Sequence, residues 1–131
     1  MKTFRRLMLI LLVVLSISAL FVIPAFAYTW TDRAIGQAQY SKFQNGSSAF
    51  TIEDNVRVST SITFNRNVST TVRTGYFKPL TFPSNYTTVF RGYNSTTING
   101  SYTIEEAGQY KFFIYNGSSD AVMVSIMTVT F

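Results

Sequence analysis

Cysteine and histidine are both missing from the 131 residues. Without cysteine there are no disulfides, no thiolate metal site, no lipid anchor on a cysteine and no thiol nucleophile. Without histidine the commonest general base, the usual Ser-His triad and the commonest zinc ligand are gone. Acids are scarce as well: six Asp and Glu, against 11 Lys and Arg. Three prolines and one tryptophan complete the list of what is rare. The chain is therefore expected to be non-catalytic and to carry no cofactor. A fold of this kind, if exported, holds together by packing alone.

Long apolar runs are confined to the start. Lys2, Arg5 and Arg6 precede a nearly unbroken apolar stretch over residues 7–23, and Pro24-Ala25-Phe26-Ala27 has the A-x-A form of a cleavage site. Residues 1–27 read as a secretory signal peptide of bacterial type, cleaved after Ala27, with residues 28–131 as one secreted domain. The general secretory route fits better than twin-arginine export, because the apolar core after Arg5-Arg6 is very hydrophobic. A retained membrane anchor is the competing reading, since the apolar run sits near the lower limit for spanning.

Removing 27 of 131 residues leaves 104. Three of the 11 cations leave with the signal, so eight cations face six acids and the domain carries a formal charge of +2. That is too little to argue for nucleic acid. Of the 21 aromatic residues only Phe4, Phe21 and Phe26 are lost, and the remaining 18 supply ample core surface.

What is present is β pattern. In residues 109–115, Tyr110, Phe112 and Ile114 alternate with Lys111, Phe113 and Tyr115. In residues 121–131, Val122, Val124 and Ile126 alternate with Met123, Met127, Val129 and Phe131 on the reverse side. Asn116-Gly117 between them is a hairpin signal. A second hairpin is expected over residues 56–76, with a loop at Asn65-Arg66-Asn67 and Ser59 across from Arg73. Residues 76–86 hold two prolines and many aromatics, so they read as a crossing outside the ladder. No helical periodicity or repeat is found. About seven to eight short strands with frequent turns specify an all-β antiparallel β-sandwich, immunoglobulin-like or jelly-roll-like.

The corner Ala107-Gly108-Gln109-Tyr110 resembles the tyrosine corner of immunoglobulin-like sandwiches, and also the closing segment of secreted jelly rolls. The likeness covers about ten residues and supports the sandwich without assigning any functional residue. The last strand, ending in Phe131, is similar to the terminal strand of outer-membrane barrels, but the other strands are too short for one.

Function is far less legible. The aromatics Phe77, Phe82 and Tyr86 in the Pro-rich segment, with Trp30, are the candidate binding residues, because rings outside the core stack on sugars or partner side chains. Partners expected on this basis are a cell-wall polysaccharide or an extracellular protein. The alternative is a secreted antimicrobial or toxin-like protein acting at membranes. The reverse-face residues Met123, Met127, Val129 and Phe131 point to self-association. No metal site is expected; Glu53-Asp54 and Glu105-Glu106 would form a weak calcium site only if those two corners met. Asn-x-Ser/Thr occurs at Asn45, Asn67, Asn85, Asn94, Asn99 and Asn116, a pattern that turn composition explains.

Overall fold

The chain changes sheet at almost every turn. The computed structural model describes residues 25–131; of the signal peptide expected over residues 1–27, all but the last three residues lie outside the described residues. Nine strands follow in order: β1 Ala27–Ile35, β2 Gln39–Phe43, β3 Phe50–Ile52, β4 Val56–Val68, β5 Val72–Phe77, β6 Thr87–Arg91, β7 Ser95–Ile104, β8 Gly108–Asn116 and β9 Val122–Thr130. One sheet has the order β1-β9-β4-β7; the other runs β2-β8-β5-β6, with β3 continuing the β2 edge along β8. All ladders are antiparallel. The fold is the expected antiparallel sandwich, with nine strands rather than seven or eight. Among the described residues the sole helical piece is a 3-10 turn at Pro83–Asn85.

Among the described residues, only β5 and β6 are both consecutive in the chain and paired. Both hairpins expected from the sequence are therefore corrected. β4 runs unbroken from Val56 to Val68, through the supposed loop at Asn65-Arg66-Asn67. Ser59 pairs with Ser101 and Thr130, while Arg73 lies in the other sheet beside Tyr115 and Arg91. Arg66 donates to the carbonyls of Asp120 and Ala121, at 3.2 and 2.9 Å, which fastens the end of β4 to the β8–β9 connection. Asn116-Gly117 likewise joins strands of different sheets, and Gly117 is not in the left-handed region. Alternation reports which face is buried. It does not report the partner strand.

The core lies between the sheets. Val58, Ile62 and Phe64 of β4 meet Phe43, Phe50, Phe112 and Ile114 of the facing sheet. Each such side chain contributes roughly 1.5–3 kcal/mol by leaving water. Phe50 gathers Tyr28, Trp30, Phe112 and Phe131 around it at ring distances of 4.5–6.1 Å. The corner resemblance holds in detail: the Tyr110 hydroxyl donates to the Glu106 carbonyl, four residues upstream, at 2.6 Å.

One bulge revises the last strand. Ile126 pairs with Thr63 and Val124 with Phe64, so Ser125 has no partner on β4. The extra residue reverses the alternation beyond it. Val122, Val124, Met127 and Val129 all point inward and are buried, while Met123 and Ile126 face water. Phe131 packs on Tyr28 and Phe50. The self-association surface expected from Met123, Met127, Val129 and Phe131 does not exist as one face.

Candidate functional site

Residues 78–86, the longest connection between consecutive strands among the described residues, build the site. Pro79 has no N–H to offer a ladder, and Leu80 takes a positive φ of 64°. The turn Pro83–Asn85 closes with Asn85 N–H donating to the Phe82 carbonyl at 2.8 Å and Tyr86 N–H to the Pro83 carbonyl at 3.2 Å. The segment then re-enters the sheet at Thr87.

Two candidate residues meet. The rings of Phe77 and Tyr86 stack with centroids 4.0 Å apart and planes 15° off parallel. Phe113 lies 5.2 Å from Tyr86, and Tyr40 meets Tyr86 edge-on at 5.5 Å. Phe77 and Tyr86 are buried in this small second core on the outer face of the five-stranded sheet. Phe82 is 77% exposed at the segment's tip, next to the fully exposed Leu80. Trp30 belongs elsewhere: it is half-buried on β1, edge-on to Phe43 at 5.2 Å. The structure thus brings Phe77 and Tyr86 together, sets Phe82 beyond them and leaves Trp30 on the main core.

On its inner side the segment overhangs a cavity of about 410 Å³. Tyr76, Lys78, Thr81, Asn85 and Thr87 line one wall; Thr103, Glu105 and Glu106 line the other, and Tyr110 contributes a ring. Lys78 Nζ reaches Glu106 Oε2 at 3.0 Å across the mouth and sits 5.7 Å above the Tyr110 ring. The hydrogen bond to Glu106 raises the Lys78 pKa above its ordinary value, with burial acting weakly the other way. Both partners are well exposed, so the pair is cheap to open. The lining offers hydroxyls, one amide, one ammonium and carboxylates over tyrosine rings. It suits a ligand with many hydroxyls and a partly apolar face, held by hydrogen bonds and stacking.

The sequence pointed to this segment and missed the opposite wall. Thr103 is an ordinary outward strand residue, and Glu105-Glu106 reads as a solvated corner. Nothing in a single sequence places that corner under residues 78–86. The corners at 53–55 and 105–106 do meet, through Asn55 N–H donating to the Glu105 carbonyl at 3.3 Å. Among the described residues, however, no three metal-ligating side chains converge.

No protein-family model matches the chain, and no curated protein matches it in sequence. Solved structures match it in shape. PliG of Aeromonas hydrophila, a periplasmic inhibitor of g-type lysozyme, gives a TM-score of 0.52 at 11% identity, covering 85% of this chain and 91% of that one. FLHE gives 0.52 at 9% identity, covering 82% and 93%. A carbohydrate binding module from Cellvibrio mixtus lichenase 5A, in complex with cellotriose, gives 0.48 at 13%, covering 82% and 86%; a likeness that distant carries no argument. At such identities PliG and FLHE share the fold with this chain and nothing finer. The class defined here is a small antiparallel β-sandwich.

Proposed function

We propose that the protein is an exported, non-catalytic binding module that holds a polysaccharide of the cell envelope or extracellular matrix in the cavity beneath residues 78–86. The carrying observation is the lining. Asn85, Thr81, Thr87 and Thr103 present hydrogen-bonding groups around the Tyr76 and Tyr110 rings, and the Lys78–Glu106 pair spans the mouth. The lack of histidine and cysteine supports binding over catalysis. The apolar start of the chain, with its A-x-A site, supports export with cleavage after Ala27. Solved structures of the same fold include a periplasmic protein, which agrees with action outside the cytoplasm.

The test is co-sedimentation of the purified protein with insoluble cell-wall polysaccharide. Asn85→Ala with Thr103→Ala is expected to reduce retention about tenfold while the unfolding midpoint stays put. Retention unchanged in that double variant rejects the cavity.

A second reading rests on Leu80 and Phe82, which expose apolar surface at the segment's tip. Such a tip suits contact with a membrane, as an antimicrobial or toxin-like protein would make. Dye leakage from anionic vesicles, lost in Leu80→Ser with Phe82→Ser, would favour it.

A further inference from the structure

The outer face of the five-stranded sheet concentrates positive charge. Its strands carry Lys42, Arg73, Arg91 and Lys111 and not one carboxylate. Asp32 sits on β1 of the other sheet, and the remaining five acids lie in connections between strands. Directly paired residues of an antiparallel ladder share a face. The registers therefore set Tyr40, Tyr115, Arg73 and Arg91 in one row across four strands. Lys42, Phe113, Gly75 and Thr88 form the next row, and Phe77 with Lys111 a third.

The centre of this face is built. Arg73 donates to the Tyr40 hydroxyl at 2.7 Å and to Thr88 Oγ1 at 2.8 Å. Its guanidinium carbon lies 4.9 Å from the Tyr115 ring centroid and 5.8 Å from that of Tyr40. Two neutral hydroxyls and stacked rings fix a guanidinium that has no acid partner; among the described residues the one ion pair is Lys78–Glu106. Arg91 is the ladder partner of Arg73, a like-charge pairing with no carboxylate beside it, and its guanidinium donates to the Thr70 carbonyl at 3.2 Å. Gly75 keeps the middle of the face shallow. A Cβ there would meet the Thr87 carbonyl oxygen at 1.8 Å, so no side chain rises between Arg73 and Phe77.

We propose that this face binds an acidic polysaccharide, with sugar carboxylates on Arg73 and Arg91 and sugar rings against the half-buried Tyr40 and Tyr115. Charge complementarity selects the anion: a planar guanidinium in a fixed orientation receives a carboxylate through paired N–H donors. The half-buried rings select a glycan over a lipid surface, because the strands of this face carry no fully exposed aliphatic side chain; Leu80 lies off them, on the connection 78–86. A net domain charge of only +2 argues against a nucleic acid backbone. The inference does not depend on the cavity, which is lined by other polar residues.

Calorimetric titration of the purified protein with oligogalacturonate tests it. Neutral cello-oligosaccharide, single-stranded DNA and phosphatidylglycerol vesicles serve as comparison ligands. Saturable binding to oligogalacturonate is expected, weakened at about 0.5 M salt, where charges more than a few ångströms apart are screened. Arg73→Gln with Arg91→Gln should weaken it at least about tenfold, and Ser101→Ala, exposed on the other sheet, should leave it unchanged. Because Arg73 is packed between rings, Lys42→Gln with Arg91→Gln provides a second pair at exposed positions, giving up only the Arg91–Thr70 hydrogen bond and the Lys42 contact with the Phe77 ring, and should weaken binding about fivefold or more. No binding to oligogalacturonate overturns the proposal. So do binding that survives both double variants, and binding to DNA or vesicles at equal strength through the same arginines.

Discussion

The side-chain amide of Asn116 donates to the main-chain carbonyl of Ile35 at 3.0 Å, across 81 residues of chain. The same nitrogen reaches Gly36 and Asp120 carbonyls at 3.2 and 2.8 Å, while Oδ1 accepts from the Ser118 N–H at 3.0 Å and from its hydroxyl. Asn116 is fully buried. It ties the β1–β2 turn to the β8–β9 connection, so one side chain fastens two crossings between the sheets. The buried asparagine is also a poor glycan acceptor once folded, unlike the exposed Asn45 or Asn67.

Asn116→Leu is expected to cost about 3 kcal/mol, because it takes the amide donor from the buried Ile35 carbonyl and the acceptor from the Ser118 N–H and hydroxyl. Asn116→Asp should cost at least as much. It points a carboxyl at three carbonyls, which favours the protonated form and lifts its folded-state pKa. The added loss therefore grows as pH rises through the ordinary carboxylate range. Urea unfolding at about pH 4 and pH 7 measures both effects. A pH-independent loss for the aspartate would contradict the geometry.

The two aromatics of residues 78–86 should behave oppositely on truncation. Tyr86 is buried against Phe77 and Phe113, so Tyr86→Ser is expected to cost roughly 3–5 kcal/mol. Phe82 is exposed, and Phe82→Ser should change stability by no more than about 0.5 kcal/mol. Thermal or urea midpoints of the two variants check this. Equal losses would mean that the segment packs differently.

Tyr102 gives the fold an alkaline limit. Burial pushes its phenol upward from 10.0, with hydrogen bonding to Thr60 acting the other way. The ring stacks on Tyr76 at 5.6 Å and meets Phe90 edge-on at 5.9 Å. The folded state keeps its proton where the unfolded chain loses it. Stability is therefore full below about pH 10 and falls above it, by up to about 1.4 kcal/mol per pH unit, until the raised folded-state pKa is reached. Tyr102→Phe should lower stability slightly near neutrality and flatten the dependence above about pH 10. Unfolding curves with identical alkaline slopes for both proteins would contradict this.

Much of the fold was legible because burial imposes period two. Tyr110, Phe112 and Ile114 fall inward as their alternation requires, and so do Val58, Ile62 and Phe64. The strand exchanges were not legible. A chain that crosses between sheets at nearly every turn leaves the same local signals as one built from hairpins. Asn116-Gly117 permits a tight turn, yet Asn116 spends its amide on a distant strand. The bulge at Ser125 was invisible too, since one unpaired serine changes which of Met127 and Ile126 is wet. β1 escaped notice because Asp32, with φ 53°, interrupts its alternation.

The candidate site was half visible. Two prolines marked residues 76–86 as a crossing outside the ladder. Residues 78–86 do leave it, but Tyr76 and Phe77 end β5 in the ladder and the segment returns to the same sheet. The aromatic content suggested exposed rings, but Phe77 and Tyr86 satisfy each other and leave Phe82 at the tip. The charge pattern of the outer sheet face depends on registers between strands far apart in the chain. Lys42, Arg73, Arg91 and Lys111 look scattered until β2, β5, β6 and β8 are set side by side.

Mapping bound glycan by amide chemical shifts is the most direct check on the binding account. With cell-wall oligosaccharide, saturable shifts are expected in residues 78–87 and 103–110, and little change on the Ser59–Ser61 side of the other sheet. Saturable shifts confined to that other sheet, or none at any oligosaccharide concentration, would contradict a ligand site beneath residues 78–86.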